Sequence, residues 1–205
     1  MSELPVQTGS PVFRTETALK AEVNVARVGV ILLMVTEFAM FAAFAASDFY
    51  LRFNAAAWPP PGVKPPELLV PLINTALLVL SSAAVIWGEA GIKRGNRGRL
   101  SLGLGLAALL GAAFLALQVR EYARSEFTPS DHTYGSLFFT LTGVHGLHVL
   151  TGVLLLLALL GWSLAGSFSA RRHALVSNIG LYWHFVTVVW LLLIFPTVYL
   201  APRLG

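Results

Sequence analysis

Four ionisable side chains lie inside apolar stretches of the sequence, where they could do chemistry. Two are the histidines of "TLTGVHGLHVLTG" (140–152), His145 and His148, and their three-residue spacing places both rings on one helix face. The others are Glu37 and His184. Imidazoles beside a carboxylate can ligate a metal, share a proton, or form a polar seam between helices.

The composition indicates that these side chains belong to an integral membrane protein. Of 205 residues, 56% are hydrophobic and only 12% are charged, whereas a soluble domain is about a quarter charged. The chain has no cysteine, which excludes disulfides, iron–sulfur clusters and thiolate metal sites. A net charge of +4 does not indicate nucleic-acid binding, because Lys and Arg in a membrane protein mostly mark cytoplasmic loops.

Hydropathy predicts an all-α fold, a polytopic bundle of five transmembrane helices. A helix needs roughly 20 mostly apolar residues to cross the hydrocarbon core. The five segments that meet this requirement are about 28–51, 69–90, 100–119, 135–161 and 177–200. They form one membrane domain, 27–200, between a polar N-terminal cytoplasmic segment, 1–26, and a short outer tail, 201–205. The first 25 or so residues lack the basic-then-apolar pattern of a signal peptide.

The basic residues predict the orientation of the bundle. With the N-terminus inside and the C-terminus outside, nine Lys and Arg residues fall on inside segments and five on outside segments. The short loop 91–99 carries most of this bias, which follows the positive-inside rule.

Depth in the membrane suggests which polar side chains meet. Glu37 lies about ten residues into the first span, or about 15 Å, and the three histidines lie at comparable central depths. An ionisable residue there costs at least about 2.5 kcal/mol, so it should face other helices. We therefore expect a buried polar cluster of Glu37 with one or more of His145, His148 and His184. Three roles stay open: a seam that fixes helix register, a proton-linked or modulatory role, and a metal or haem site.

Other residues are candidates for helix packing and for subunit interfaces. Small residues let helices approach closely, and amide and hydroxyl side chains can hydrogen-bond between them. The candidates of this kind within the spans or at their ends are Asn74, Ser81, Gln118, Glu121, Gly143, Gly146, Thr187 and Trp190.

Several stretches together resemble a known family, subunit III of the haem–copper terminal oxidases. They are "TEFAMFAAFAA" (36–46), "WPPP" (58–61) followed by "PLINTALLVLSS" (71–82), "QVREY" (118–122), "YGSLFFTLTGVHGLHVLTG" (134–152) and "YWHFVTVVW" (182–190). The likeness covers about residues 27–200, and the order and spacing of the blocks make it specific. It resembles the short five-helix bacterial form rather than the seven-helix form.

The resemblance implies a non-catalytic subunit of a proton-pumping oxygen reductase in a bacterial plasma membrane. In that family the subunit carries no haem or copper. It packs on catalytic subunit I in a complex with subunit II, holds phospholipid, and sustains proton uptake and catalytic lifetime. The partners implied also include further subunits of the respiratory complex. The electron donor is cytochrome c or a quinol, and the sequence of this chain does not distinguish between them. The family's carbodiimide-reactive glutamate matches Glu37, and its histidines match His145, His148 and His184.

One departure from the family pattern concerns the fifth span, where Thr187 replaces the usual Asp after "YWHFV". A carboxylate there could pair with a cation, whereas Thr can only hydrogen-bond.

Two alternative functions also stay open. One is an accessory subunit of a nitric oxide reductase, and the other is a stand-alone proton-coupled transporter that uses Glu37.

Overall fold

Five long helices build the part of the chain that the structure describes. A computed structural model describes residues 16–203, with side chains from residue 25 onward. The helices are α1 Glu16–Asn54, α2 Leu69–Lys93, α3 Arg97–Arg124, α4 Thr133–Leu164 and α5 Ala174–Val189. The fifth continues as a π-helical segment, Trp190–Leu200, and a final turn, Ala201–Arg203. All five are long and apolar enough to cross a membrane, so the chain is an all-helical, multi-pass membrane protein.

The helices run past the predicted apolar segments at most of their ends, because polar residues continue the helical hydrogen bonding beyond the hydrocarbon. The predicted third span, 100–119, is part of α3, Arg97–Arg124. The side chain of Asn96 caps that helix by accepting a hydrogen bond from the Arg99 backbone N–H at 2.9 Å. Residues 16–26, expected in the polar N-terminal segment, are the first turns of α1. Residues 1–15 and 204–205 lie outside the described part, and the orientation of the termini stays a prediction.

Short connections join the helices at the end of the bundle that holds the α2–α3 turn. This turn passes through Gly95 at a φ of +80°, a left-handed conformation that costs glycine little. The α4–α5 connection at the same end contains Gly166, with a φ of +78°. At the opposite end, the α1–α2 connection, 55–68, is longer and rich in proline.

A glycine contact brings α2 and α3 together. A Cβ added to Gly103 would lie 2.7 Å from the Ala84 carbonyl oxygen and 2.8 Å from the Gly88 Cα, so the two backbones nearly touch. Lipid tails are as apolar as leucine, so close van der Waals packing of this kind drives helix association in a membrane.

Trp183 fills the centre of the bundle. A Cβ on Gly111 of α3 would lie 2.7 Å from its ring, and one on Gly152 of α4 would lie 2.5 Å from it. Trp183 is fully buried, and so is Trp190, about two helical turns further along the chain. The bundle core is therefore α2, α3, α4 and the fifth helix.

Helix α1 lies outside this core. Within the described residues it contacts α4, α5 and the π-helical segment, but neither α2 nor α3. Only 11% of its most apolar stretch is buried, against 56% for the fifth helix. One buried ring, Phe41, joins it to the core.

The π-helical segment contains Pro196, which has no backbone N–H to donate. Wider turns of this kind are rare and occur mostly as short insertions in α-helices. Trp190 and Tyr199 of this segment are both fully buried in the bundle.

Candidate functional site: a glutamate–histidine pair beside a membrane groove

The structure brings Glu37 of α1 against His148 of α4. Glu37 Oε2 and His148 Nε2 lie 3.0 Å apart, and both side chains are partly buried. The other ring nitrogen, Nδ1, lies 2.8 Å from the backbone oxygen of Val144, one turn earlier. Because a carbonyl oxygen can only accept, Nδ1 carries a hydrogen and donates it there.

That tautomer fixes how many protons the pair holds. The Nε2–Oε2 hydrogen bond needs one hydrogen, which comes either from a neutral carboxylic acid or from an imidazolium. In both cases Glu37 and His148 together have zero net charge and share one proton. This arrangement lets two ionisable groups sit in the membrane without an uncompensated charge.

Two aromatic residues hold the pair in place. The Phe41 ring meets the His148 ring edge-on, with centroids 5.1 Å apart. The Tyr182 hydroxyl donates to the His148 backbone oxygen at 3.2 Å and thereby ties α5 to the site.

The pair lines a groove between α1, α4 and α5. Its volume is about 510 Å³, within the range of small-molecule sites. Apart from Glu37 and His148, its lining is mostly apolar, and the lining residues from α4 are Leu147, His148, Thr151 and Leu155.

His145 is not a hydrogen-bonding member of this cluster. It is completely buried, and neither ring nitrogen has a partner among the described residues. It packs instead among the rings of Phe41, Phe114 and Trp190, at centroid distances of 6.2, 5.8 and 5.2 Å. The expectation that His145 belongs to the polar cluster around Glu37 is therefore corrected.

His184 is separated from Glu37 altogether, which is a second correction. It lies on the side of α5 that faces α2, where its Nδ1 meets the hydroxyl of Ser82. Tyr182, which faces the groove, is two residues away and therefore about 200° around the helix.

The Ser82–His184 contact belongs to a set of hydrogen bonds that we call the α2–α5 seam. The seam consists of Glu89–Ser177 at 2.7 Å, Ser82–His184, Ser81–Trp183 at 2.9 Å and Thr75–Trp190 at 2.9 Å. Ser81 also donates to the Ala107 carbonyl oxygen at 3.0 Å, which links the seam to α3. The candidates Ser81 and Trp190 therefore join helices.

A second group of polar side chains joins the helices at the end of the bundle that holds the α1–α2 connection. Asn74 donates to Gln118 at 3.3 Å, and both side chains are buried. The Tyr199 hydroxyl donates to Glu121 at 3.2 Å and accepts from Gln118 at 3.5 Å. These contacts join α2, α3 and the π-helical segment.

Three further candidates have local surroundings that limit their roles. Thr187 is buried and donates to the backbone oxygen of Trp183, one turn earlier, so its hydrogen bond stays within one helix. A Cβ on Gly146 would meet nothing within 4 Å, and one on Gly143 would make only an ordinary contact with Tyr122. The expected close approach at Gly143 and Gly146 is thus corrected, because the close approaches fall at Gly103, Gly111 and Gly152.

The candidate side chains do not form a metal-ligand cluster in the described part of the chain. Within the described part, no three His, Asp or Glu side chains gather as ligands. His148 uses both ring nitrogens inside the chain, and His145 is enclosed by aromatic rings. The two imidazoles therefore cannot present a pair of nitrogens to one ion.

Sequence reasoning missed three contributors: Tyr182, Tyr199 and Glu89. A signal for Glu89 exists, because Thr75, Ser82 and Glu89 recur every seven residues along α2 and so share one face. The two tyrosines carry no comparable signal, because a tyrosine near a span end is equally typical of an aromatic belt.

Comparison with known proteins decides the family. The profile of the family "Cytochrome c oxidase subunit III" matches residues 15–201. This chain belongs to the cytochrome c oxidase subunit III family. Cytochrome c oxidase subunit 3 of Petromyzon marinus is 41% identical, over 82% of this chain and 66% of the relative. The subunits of Rattus norvegicus and Locusta migratoria are each 38% identical, with the same coverage. The chain thus spans slightly less than two thirds of the length of these curated relatives.

Proposed function

We propose that this chain is the non-catalytic subunit III of a proton-pumping haem–copper oxygen reductase, which reduces O₂ to water in aerobic respiration. The family match over nearly the whole chain carries this proposal. Haem and copper belong to partner subunits I and II, and the electron donor is cytochrome c or a quinol. In this assignment the chain supports assembly, holds phospholipid and assists proton uptake by the catalytic subunit.

Identification of the neighbouring chains tests the proposal. After mild detergent extraction through a tag on this chain, we expect subunits I and II of an oxidase, with their haem and copper spectrum. Untagged cells are the control. Recovery with a nitric oxide-reducing subunit would support that alternative instead. Proton flux in liposomes from the polypeptide alone, abolished by Glu37→Gln, would support the transporter.

The groove beside Glu37 supports the lipid role. It is mostly apolar and lies at membrane depth between α1, α4 and α5. We expect Leu155→Trp, which fills the groove, to reduce the phospholipid that co-purifies with the complex. Leu157→Trp is the matched control, because Leu157 is exposed and lies more than 100° around α4 from the middle of the groove-lining residues. Equal lipid content in the two variants would contradict the proposal.

The shared proton supports the role in proton uptake. A carboxyl–imidazole pair can pass its proton from one partner to the other without changing its net charge. We expect Glu37→Gln to slow proton uptake by the assembled oxidase and to shorten its catalytic lifetime. Glu126→Gln, in an exposed outer loop, is the control. Unchanged proton uptake in Glu37→Gln would leave the pair a structural role only.

We also propose a bacterial plasma membrane as the location. The five helices and the resemblance to the short five-helix bacterial form support this location. Fractionation of the source cells tests it, with recovery in the plasma membrane as the expected result and recovery in mitochondria as the contrary one.

A further inference from the structure

His184 leaves one ring nitrogen uncovered in the middle of the membrane. It lies ten residues after the start of α5 at Ala174, which is about 15 Å along the helix. Its ring is half-buried, and Nδ1 lies 2.5 Å from the Ser82 hydroxyl oxygen. Nε2 has no hydrogen-bond partner within residues 25–203 and is not among the enclosed polar atoms there.

The contact with Ser82 fixes which nitrogen carries the hydrogen. In the described part of the chain, the Ser82 hydroxyl has no acceptor other than His184 Nδ1. A hydroxyl in apolar surroundings donates to the acceptor it can reach, so Nδ1 is a lone pair that accepts. The ring is then the neutral tautomer with its hydrogen on Nε2. The uncovered atom is therefore a donor that needs an acceptor.

The exposed side chains next to this N–H group are apolar, and no described residue covers them. The Glu89 carboxylate lies near the ring, but its hydrogen bonds go to Ser177 and Lys93 and not to His184. Val188 of α5 and Leu192 of the π-helical segment are exposed beyond His184, and on α2, Val79 and Ile86 are exposed beside Ser82. Helix α1 does not reach α2 in the described residues, so this side of α5 is open. We call this surface, formed by Val79, Ile86, His184, Val188 and Leu192, the α2–α5 strip.

Lipid does not satisfy the Nε2–H group at this depth. Acyl chains contain no hydrogen-bond acceptor, and the headgroup oxygens lie about 15 Å away at the edge of a hydrocarbon core about 30 Å thick. A polar group left unpaired in hydrocarbon is costly. A neighbouring transmembrane helix can supply an acceptor at mid-depth from its side chains, and hydrogen bonds of this kind join helices in membranes.

We propose that the α2–α5 strip is the docking surface for a transmembrane helix of the catalytic oxidase subunit, which accepts a hydrogen bond from His184 Nε2. This inference rests on the proposed function. It deepens that function by assigning the interface to the side of α5 opposite the groove. The partner helix presents apolar side chains to Val188 and Ile86 and one oxygen acceptor at the level of His184.

Photocrosslinking in the assembled membrane complex tests the assignment. A benzophenone amino acid replaces Val188 on the strip, or Leu154 on the exposed face of α4 as the control, with His184 intact. We expect Val188 to crosslink to the catalytic subunit and Leu154 to crosslink to lipid. Crosslinking of Val188 to lipid alone, or of Leu154 to the catalytic subunit, would overturn the assignment.

A set of substitutions tests the hydrogen bond. His184→Leu should lower retention of the catalytic subunit in a detergent wash by about three- to tenfold, the effect of one net hydrogen bond. His184→Gln, whose amide N–H takes the place of Nε2–H, should restore most of it. Equal loss in the two variants would contradict a role for Nε2.

The two experiments separate this inference from the proposed function. If the chain co-purifies with an oxidase but crosslinks through another face, only the docking surface is wrong. If the wild-type chain co-purifies with no oxidase subunit, both are wrong.

Discussion

The Glu37–His148 pair and the α2–α5 seam solve the same problem in different ways. Both place polar side chains at membrane depth, where unpaired groups are costly. The seam uses several hydrogen bonds between helices that also pack closely, and it links them to α3 through Ser81. The pair joins α1, a helix with little buried surface, through one shared proton. The seam therefore joins helices that also pack closely, whereas the pair attaches a loosely packed helix through one hydrogen bond.

The largest expected effect comes from breaking the backbone contact on which the seam depends. Gly103→Leu places a side chain where even a Cβ would lie 2.7 Å from a backbone oxygen of α2. Rigid backbone cannot give way cheaply, so we expect a loss of about 3 kcal/mol or more, measured as unfolding in detergent micelles. Gly105→Leu is the control, because the nearest atom to its Cβ is a flexible leucine end at 3.7 Å. Similar losses in both variants would contradict the expected tight crossing.

The next effect comes from removing the central hydroxyl of the seam. Ser81→Ala leaves the Trp183 indole N–H without an acceptor inside the bundle. We expect a loss of about 1–3 kcal/mol of unfolding free energy, the cost of a buried unpaired donor. Ser47→Ala, on exposed α1, should change stability little. A loss in Ser81→Ala no larger than in Ser47→Ala would show that the seam contributes little.

A double-mutant cycle sharpens the difference between the two regions. Glu37→Leu and His148→Leu remove partners in direct contact, so we expect an interaction energy of about 0.5–3 kcal/mol. Glu37→Leu with His184→Leu should be additive within about 0.5 kcal/mol, because the structure separates these residues. Coupling of Glu37 to His184 rather than to His148 would reverse the assignment of the two histidines.

A smaller effect is expected at His145, between the two regions. Its ring nitrogens make no hydrogen bonds within the described residues, so an apolar side chain of similar size loses no polar contact. We expect His145→Leu to change stability by no more than about 1 kcal/mol in either direction. His148→Leu, three residues along, should cost more. A large loss in His145→Leu would mean that a partner outside this chain bonds to the ring.

The smallest effect is expected outside the membrane, in the α3–α4 connection. Asp131 accepts hydrogen bonds from the backbone and side chain of Thr128 at 2.7 and 2.8 Å, and these bonds lower the pKa of its carboxyl below 3.8. A lowered pKa means that its stabilisation is present above about pH 4 and is lost as the pH falls through the folded-state value. Because the carboxyl is fully exposed, Asp131→Asn should reduce thermal stability only slightly at pH 7, and the reduction should become smaller as the pH falls below about 4. A reduction that does not change with pH would contradict this account.

Depth and helix count could be predicted from the sequence, because the thickness of the bilayer dictates both. The five spans follow from hydropathy, and the central position of Glu37, His148 and His184 follows from counting residues. Rotation about the helix axis could not be predicted in this way. His145 and His148 are about 60° apart around α4, and only the packing decides which of them reaches Glu37. His184 has the right depth but lies on the wrong side of α5.

The glycine contacts illustrate the same limit. Gly103, Gly111, Gly143 and Gly146 all read as small residues in apolar helices, yet only the first two lie at tight crossings. Which glycine faces a neighbouring backbone depends on how the helices cross. The sequence of one helix does not specify that crossing.

The attachment of α1 has a consequence for biosynthesis. Glu37 emerges from the ribosome 111 residues before its partner His148, and α1 touches neither α2 nor α3 in the described residues. At roughly 5–20 residues per second, the first helix must wait in the bilayer for about 5–20 s with its carboxyl unmatched. During that interval, an insertase or a lipid headgroup would have to shelter a side chain that the finished bundle later secures.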